Sequence, residues 1–104
     1  MVWRLTLTRC HPREKELLNQ LVRLFDELDP VGLIKGNGAP PGEYAPEAKT
    51  VLARLPASTS PEDVHGVLFE EFCHWFGVKT AGPRENYASA AEAVWQWWRR
   101  SRSI

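Results

Sequence analysis

Carboxylates gather around one stretch of this chain. Asp29 stands in Leu28-Asp29-Pro30-Val31-Gly32, and Glu43 and Glu47 flank Tyr44 a little further on. Three carboxyl groups meeting across a loop could bind a hard cation through oxygen, or supply an acid and a base. The competing reading is structural. Asp29 then accepts backbone N–H groups or the Tyr44 hydroxyl, and Glu47 favours the positive end of the helix it opens. No Asp-x-Asp-x-Asp-Gly loop is present, which weighs for the structural reading. The expectation is therefore no catalytic residue, no metal and no cofactor, with a metal-dependent enzyme at Asp29/Glu43/Glu47 as the rival.

Cys10-His11 and Cys73-His74 supply two sulfurs and two ring nitrogens, the donor set of a structural zinc site. Adjacent residues on a helix point about 100° apart, so Cys73 and His74 converge on one ion with difficulty. A thiol nucleophile at Cys73, with His65, His74 or His11 as base, is formally available. Its neighbours Phe72, Trp75, Glu70 and Glu71 are the opposite of the electropositive setting that a reactive thiol needs. Two cysteines cannot build the disulfide framework of a small secreted domain, and both are expected to be reduced.

The chain holds five tryptophans, more than one small core easily absorbs. Trp95 and Trp98 share a helix face with Tyr87, Ala91 and Val94. Trp97, roughly 200° around the axis from Trp95, is expected to project from the other face beside Arg99 and Arg100. Tryptophan with arginine is enriched at interface hot spots, so Trp97, Arg99 and Arg100 are the candidate binding residues, for a protein partner or a second copy. The competing reading covers Trp97 with the segment around Trp3. Stacking on nucleic-acid bases is a third use of the same residues. Thirteen basic and thirteen acidic side chains cancel, which argues against nucleic acid.

These groups must be positioned by helices. Leu17, Leu18, Leu21, Val22, Leu24, Phe25 and Leu28 recur at three- and four-residue steps, predicting a helix over 13–28 that Asp29-Pro30 stops. Four glycines and Pro40-Pro41 between Val31 and Gly42 make a long loop. A short second helix spans 44–55. Ser60-Pro61-Glu62-Asp63 opens a third over 61–76, with Ser60 as N-cap, Asp63 completing a shortened capping box, and Gly77 placed to end it. Gly66 inside that helix suggests a close helix crossing. A fourth helix covers 87–100. Val2 to Thr8 alternate in the manner of an extended arm. The expected fold is all-α, a compact four-helix, bundle-like single domain over 1–104. No run of about 18 apolar residues and no leader-like N-terminus is present, so the expectation is a cytoplasmic protein with no membrane contact.

The pattern Asp29-Pro30-x-Gly32 followed by Tyr44 and Glu47 resembles a family of small, all-helical bacterial proteins known as domain of unknown function 1871. Its members end a first helix in Trp-Asp-Pro-x-Gly, pass through a loop into a helix opened by tyrosine and an acid, and add two further helices. The resemblance spans about Leu17 to Trp98 in element order. This chain departs from it in having Leu28 in place of the tryptophan, a longer glycine-rich loop, and the Trp95/Trp97/Trp98 group. The family implies the fold and no activity. Asp29-Pro30-x-Gly32 and Glu43-Tyr44 also resemble elements of short helical proteins that look like neighbours of bacterial toxin systems, a resemblance that implies an immunity-like role.

Overall fold

The computed structural model describes residues 12–32, 36 and 38–102, and every regular element among them is helical. Helix α1 runs Pro12–Leu28. Its stripe buries Leu21 and Phe25 completely, with Leu17, Leu18, Val22, Leu24 and Leu28 packed alongside. At Asp29 the backbone turns left-handed, φ 47°, a conformation that aspartate tolerates better than most side chains. Its N–H still donates to the Phe25 carbonyl at 2.7 Å, and its own carbonyl accepts from Gly32 N at 3.0 Å, so Pro30 and Val31 form the corner of a tight turn.

Helix α2 spans Ala45–Arg54, with Pro46 in its first turn and no side-chain cap. It tightens into a 3₁₀ turn at Leu55–Ala57, where Pro56 prevents a further α turn. Helix α3 spans Pro61–Ala81. Ser60 Oγ accepts from Asp63 N at 3.1 Å, while Asp63 Oδ2 accepts from Thr59 N at 2.9 Å and from the Thr59 hydroxyl at 3.0 Å. Those donors, the Thr59 backbone N–H foremost and its hydroxyl next, hold the Asp63 carboxyl below its usual range. Gly77 interrupts the helix at φ 85°, ψ 153°, a left-handed-side conformation natural to glycine, and one more turn follows to Ala81. A 3₁₀ turn at Arg84–Tyr87 then leads into α4, Ala88–Arg102.

Each helix packs on its neighbours in the chain, and α1 closes the ring against α4. The Phe72 ring stands at the centre, with centroids 5.5 Å from Phe25, 6.0 Å from Tyr44, 5.5 Å from Tyr87 and 5.7 Å from Phe76. These separations are the favoured range for aromatic pairs. Phe25 of α1, Phe72 and Phe76 of α3, and the two tyrosines that stand just before α2 and α4 thus meet in a single aromatic cluster.

The all-α expectation holds, with four helices among the described residues. Its boundaries shift at several ends: Tyr44 stands before the second helix, and the fourth runs on to Arg102. The second helix ends as a 3₁₀ turn, the third continues past Gly77 to Ala81, and Tyr87 belongs to the turn before α4. Gly66 does not mark a tight crossing: where its Cβ would stand, only Arg84 Nη1 among the described residues comes within 4 Å, at 3.9 Å. The expected arm Val2–Thr8 and the pair Cys10-His11 lie outside the described residues.

Candidate functional site

The α1–α2 junction is built on Tyr44, whose ring is fully buried against Phe25 and Phe72. Its hydroxyl donates to Asp29 Oδ1 at 2.7 Å and accepts from Val31 N at 3.3 Å. The phenol thereby ties the turn that ends α1 to the residue that opens α2. One helical turn earlier, Asp26 takes the Gly42 N–H on its carboxylate at 3.1 Å and pins the far end of the connecting loop to α1. Asp26 carries no signal of this role in the sequence, where it reads as an ordinary helix acid.

The three junction carboxylates have separate fates. Asp29 is an acceptor for Tyr44, as the structural reading holds, and Glu43 is exposed. Glu47 is 5% exposed, and its Oε1 has no hydrogen-bond partner among the described residues. Burial pushes its carboxyl above the ordinary range, opposed by its own backbone N–H and reinforced by the charge of Glu43. The burial of Glu47 is unexpected, because a charged residue in a first helical turn ordinarily faces water. Among the described residues no three His, Cys, Asp or Glu side chains come together as a metal-binding group.

The α3–α4 junction uses the other tyrosine. Tyr87 is fully buried, and its hydroxyl donates to the Ala81 carbonyl at 2.6 Å, closing the last turn of α3 onto the start of α4. Burial, with Cys73 as a lesser cause, pushes this phenol up to about 12. Cys73 is a half-buried free thiol, and His74 is exposed with its ring against Trp75. His65 Nε2 lies 2.8 Å from the Arg84 carbonyl, so that ring is occupied in holding the 3₁₀ turn.

The tryptophans correct the expected facing of α4. Trp97 is buried, 9% exposed, and its Nε1 donates to Gln20 Oε1 of α1 at 2.8 Å. Trp95 is the half-buried one, with the Arg99 guanidinium 6.0 Å above its ring. The stripe through Ala90, Val94, Trp97 and Ser101 is as buried as that through Ala91 and Trp98, because α4 packs against α1 on one side and α3 on the other. A helix with two neighbours needs a wider apolar face than one stripe. Spacing from Val94 signals this, since Trp97 is the third residue on.

Of the three candidate binding residues, two remain together. Trp97 and Arg100 line a cleft of about 440 Å³ between α1 and α4, with Gln20, Arg23, Leu24 and Glu27 opposite and Ala93 and Gln96 beside them. Arg99 stands over Trp95 and is not part of that lining. A second cleft, between the end of α2 and α3, is crossed by ion pairs: Arg54 to Glu70 at 2.8 Å and to Glu71 at 3.0 Å, and Arg84 to Glu62 at 2.8 Å. Its arginines are already engaged.

No family model, no curated protein and no solved structure matches this chain.

Proposed function

We propose that this is a non-catalytic helical protein that acts by binding another protein, and that the α1/α4 cleft is the surface it uses. The observation that carries the reading is the cleft itself. An apolar floor of Leu24, Ala93 and Trp97 is flanked by Arg23 and Arg100, and neither arginine is in an ion pair among the described residues. Aromatic and arginine side chains in one recess are the composition of interface hot spots. Among the described residues no helix is long and apolar enough to cross a membrane. A cytoplasmic, immunity-like or regulatory role is the biological form this proposal takes; the family resemblance itself implies no activity.

The test is capture from native lysate by the wild-type chain and by an Arg23→Glu/Arg100→Glu variant of unchanged circular dichroism and urea midpoint. A partner held by the first and lost by the second supports the cleft. Identical capture removes it from consideration. A concentration-dependent mass in sedimentation, abolished by the same variant, identifies the partner as a second copy.

A further inference from the structure

We infer that the α1/α4 cleft takes an acidic, apolar segment of a partner protein, with carboxylates on Arg23 and Arg100 and an apolar side chain on the floor between them. This rests on the cleft being a docking surface and adds the chemistry of its occupant. The walls are two helical stripes: Gln20, Arg23/Leu24 and Glu27 of α1 face Ala93, Gln96/Trp97 and Arg100 of α4. Both stripes repeat at three- and four-residue steps, so the recess runs along the helix pair and suits a segment of chain.

Hydrogen bonding within the walls decides what such a segment must offer. The Trp97 N–H is spent on Gln20 Oε1, while one N–H of the Gln20 amide goes to Glu16 at 3.0 Å and one of the Gln96 amide to Glu92 at 2.9 Å. The floor therefore presents indole carbon and aliphatic surface, which rewards an apolar side chain. The guanidiniums are different. Arg54 and Arg84 are each held by glutamates, whereas Arg23 and Arg100 are exposed and in no ion pair among the described residues. Their planar forks bind carboxylates in pairs of hydrogen bonds. Among the described lining residues Glu27 is the one acid against two arginines, while Glu16 and Glu92 stand one turn along on the wall glutamines, so the positive charge is local to the Arg23 and Arg100 guanidiniums.

The other occupants fit less well. Residues 1–11 carry Arg4, Arg9 and His11 and no acid, and would meet like charge. A nucleic acid would find two cations beside Glu27 on a chain of zero net charge, too few to release many counterions.

Fluorescence anisotropy on the full chain tests the inference with labelled peptides of equal length alternating Glu with Leu, Glu with Ser, or Lys with Leu. The Glu/Leu peptide is expected to bind about tenfold tighter than either other, and to weaken with salt. Arg23→Glu/Arg100→Glu should transfer the preference to Lys/Leu. Equal binding, no binding, or a preference that the variant leaves in place overturns the acidic occupant, as does tighter binding of oligothymidylate. Ala93→Trp, which fills the recess without altering its charge, distinguishes loss of the docking surface from loss of the acidic occupant. Where it abolishes lysate capture although Glu/Leu does not bind, the docking surface stands and the acidic occupant falls. Where it and the double variant both leave capture intact, the docking surface itself falls.

Discussion

Two inter-helix junctions of this protein are closed by the same residue in the same place, and they differ in what that residue holds. Tyr44 and Tyr87 each stand immediately before a helix, each rests on Phe72, and each sends its hydroxyl back to the end of the preceding helix. Tyr87 meets a main-chain carbonyl, which no substitution at Ala81 other than a backbone change can remove. Tyr44 meets the Asp29 carboxylate, a side chain that can be mutated or titrated. The difference follows from the connections. Gly82 to Tyr87 is short enough for the chain's own turn to bring the groups together. The connection from Asp29 to Tyr44 is long, and the fold adds Asp26 to Gly42 N as a second tether. Where chain geometry alone does not close a junction, side chains must, and the junction becomes the more alterable of the two.

Substitution at the shared ring should produce the largest effect. Phe72→Ala should cost about 3 to 5 kcal/mol and lower the urea midpoint in one transition, since both tyrosines lose the same neighbour. Loss of one junction before the other, seen as separate transitions by hydrogen exchange, would break the symmetry drawn here.

Next come the hydroxyl bonds themselves, at about 1 to 2 kcal/mol each. Tyr87→Phe withdraws the donor from the Ala81 carbonyl, and no side-chain substitution is expected to restore it. Asp29→Ala removes an acceptor of Tyr44 and also places alanine at φ 47°, whereas Asp29→Asn keeps both an acceptor and a left-handed-tolerant residue. Recovery of most of the loss in the asparagine variant is the expected result. Wild-type midpoints for both Asp29 variants would show that the Tyr44 bond contributes nothing.

The pH response should separate the junctions further. Burial favours the protonated Glu47 carboxyl, so the folded chain keeps that proton to higher pH than the unfolded chain does. Stability therefore falls as pH rises from the ordinary glutamate value through the folded one, and Glu47→Gln should flatten that slope and raise the neutral-pH midpoint. Tyr87 answers at the other end of the scale. Its folded phenol titrates near 12 against the ordinary 10.0, so stability falls as pH climbs through that interval, and Tyr87→Phe should abolish this component. A wild-type and Glu47→Gln pair with parallel acid profiles would show that the buried carboxyl is not strained.

The smallest effect serves as a reference away from both junctions. Gly66→Ala should stabilise by about 0.5 to 1 kcal/mol, because helix propensity improves and only the tip of Arg84 is near the added methyl. A destabilised variant would mean that the Arg84–Glu62 pair cannot yield.

Much of this architecture is legible in the chain. The α1 stripe, the Ser60 cap and the break at Gly77 follow from local rules of spacing, capping and φ, and the hydroxyl acceptor at Asp29 follows from its place at a helix end. What escapes those rules depends on partners distant in sequence. Trp97 reads as outward when Trp95 sets the face, and only the arrival of α1, with Gln20 for the indole N–H, turns it inward. Glu47 reads as a solvated first-turn acid, and its burial follows from packing that no single window of sequence contains. Arg23 carries no local signal at all, and its place in the cleft follows from α1 closing the ring against α4.

The unequal reach of the two tyrosine bonds also orders the assembly of the chain in time. Tyr87 must find a carbonyl six residues back, Tyr44 a carboxylate fifteen residues back, and the longer closure costs about 0.8 kcal/mol more in chain entropy. Local contacts form early in small helical proteins. The α3–α4 hairpin, with Phe72 and Tyr87 already paired, is thus the natural nucleus, onto which α2 and then α1 condense. In kinetic terms, substitutions at Tyr87 should slow folding and those at Asp29 should chiefly hasten unfolding, which the two arms of a denaturant chevron would separate.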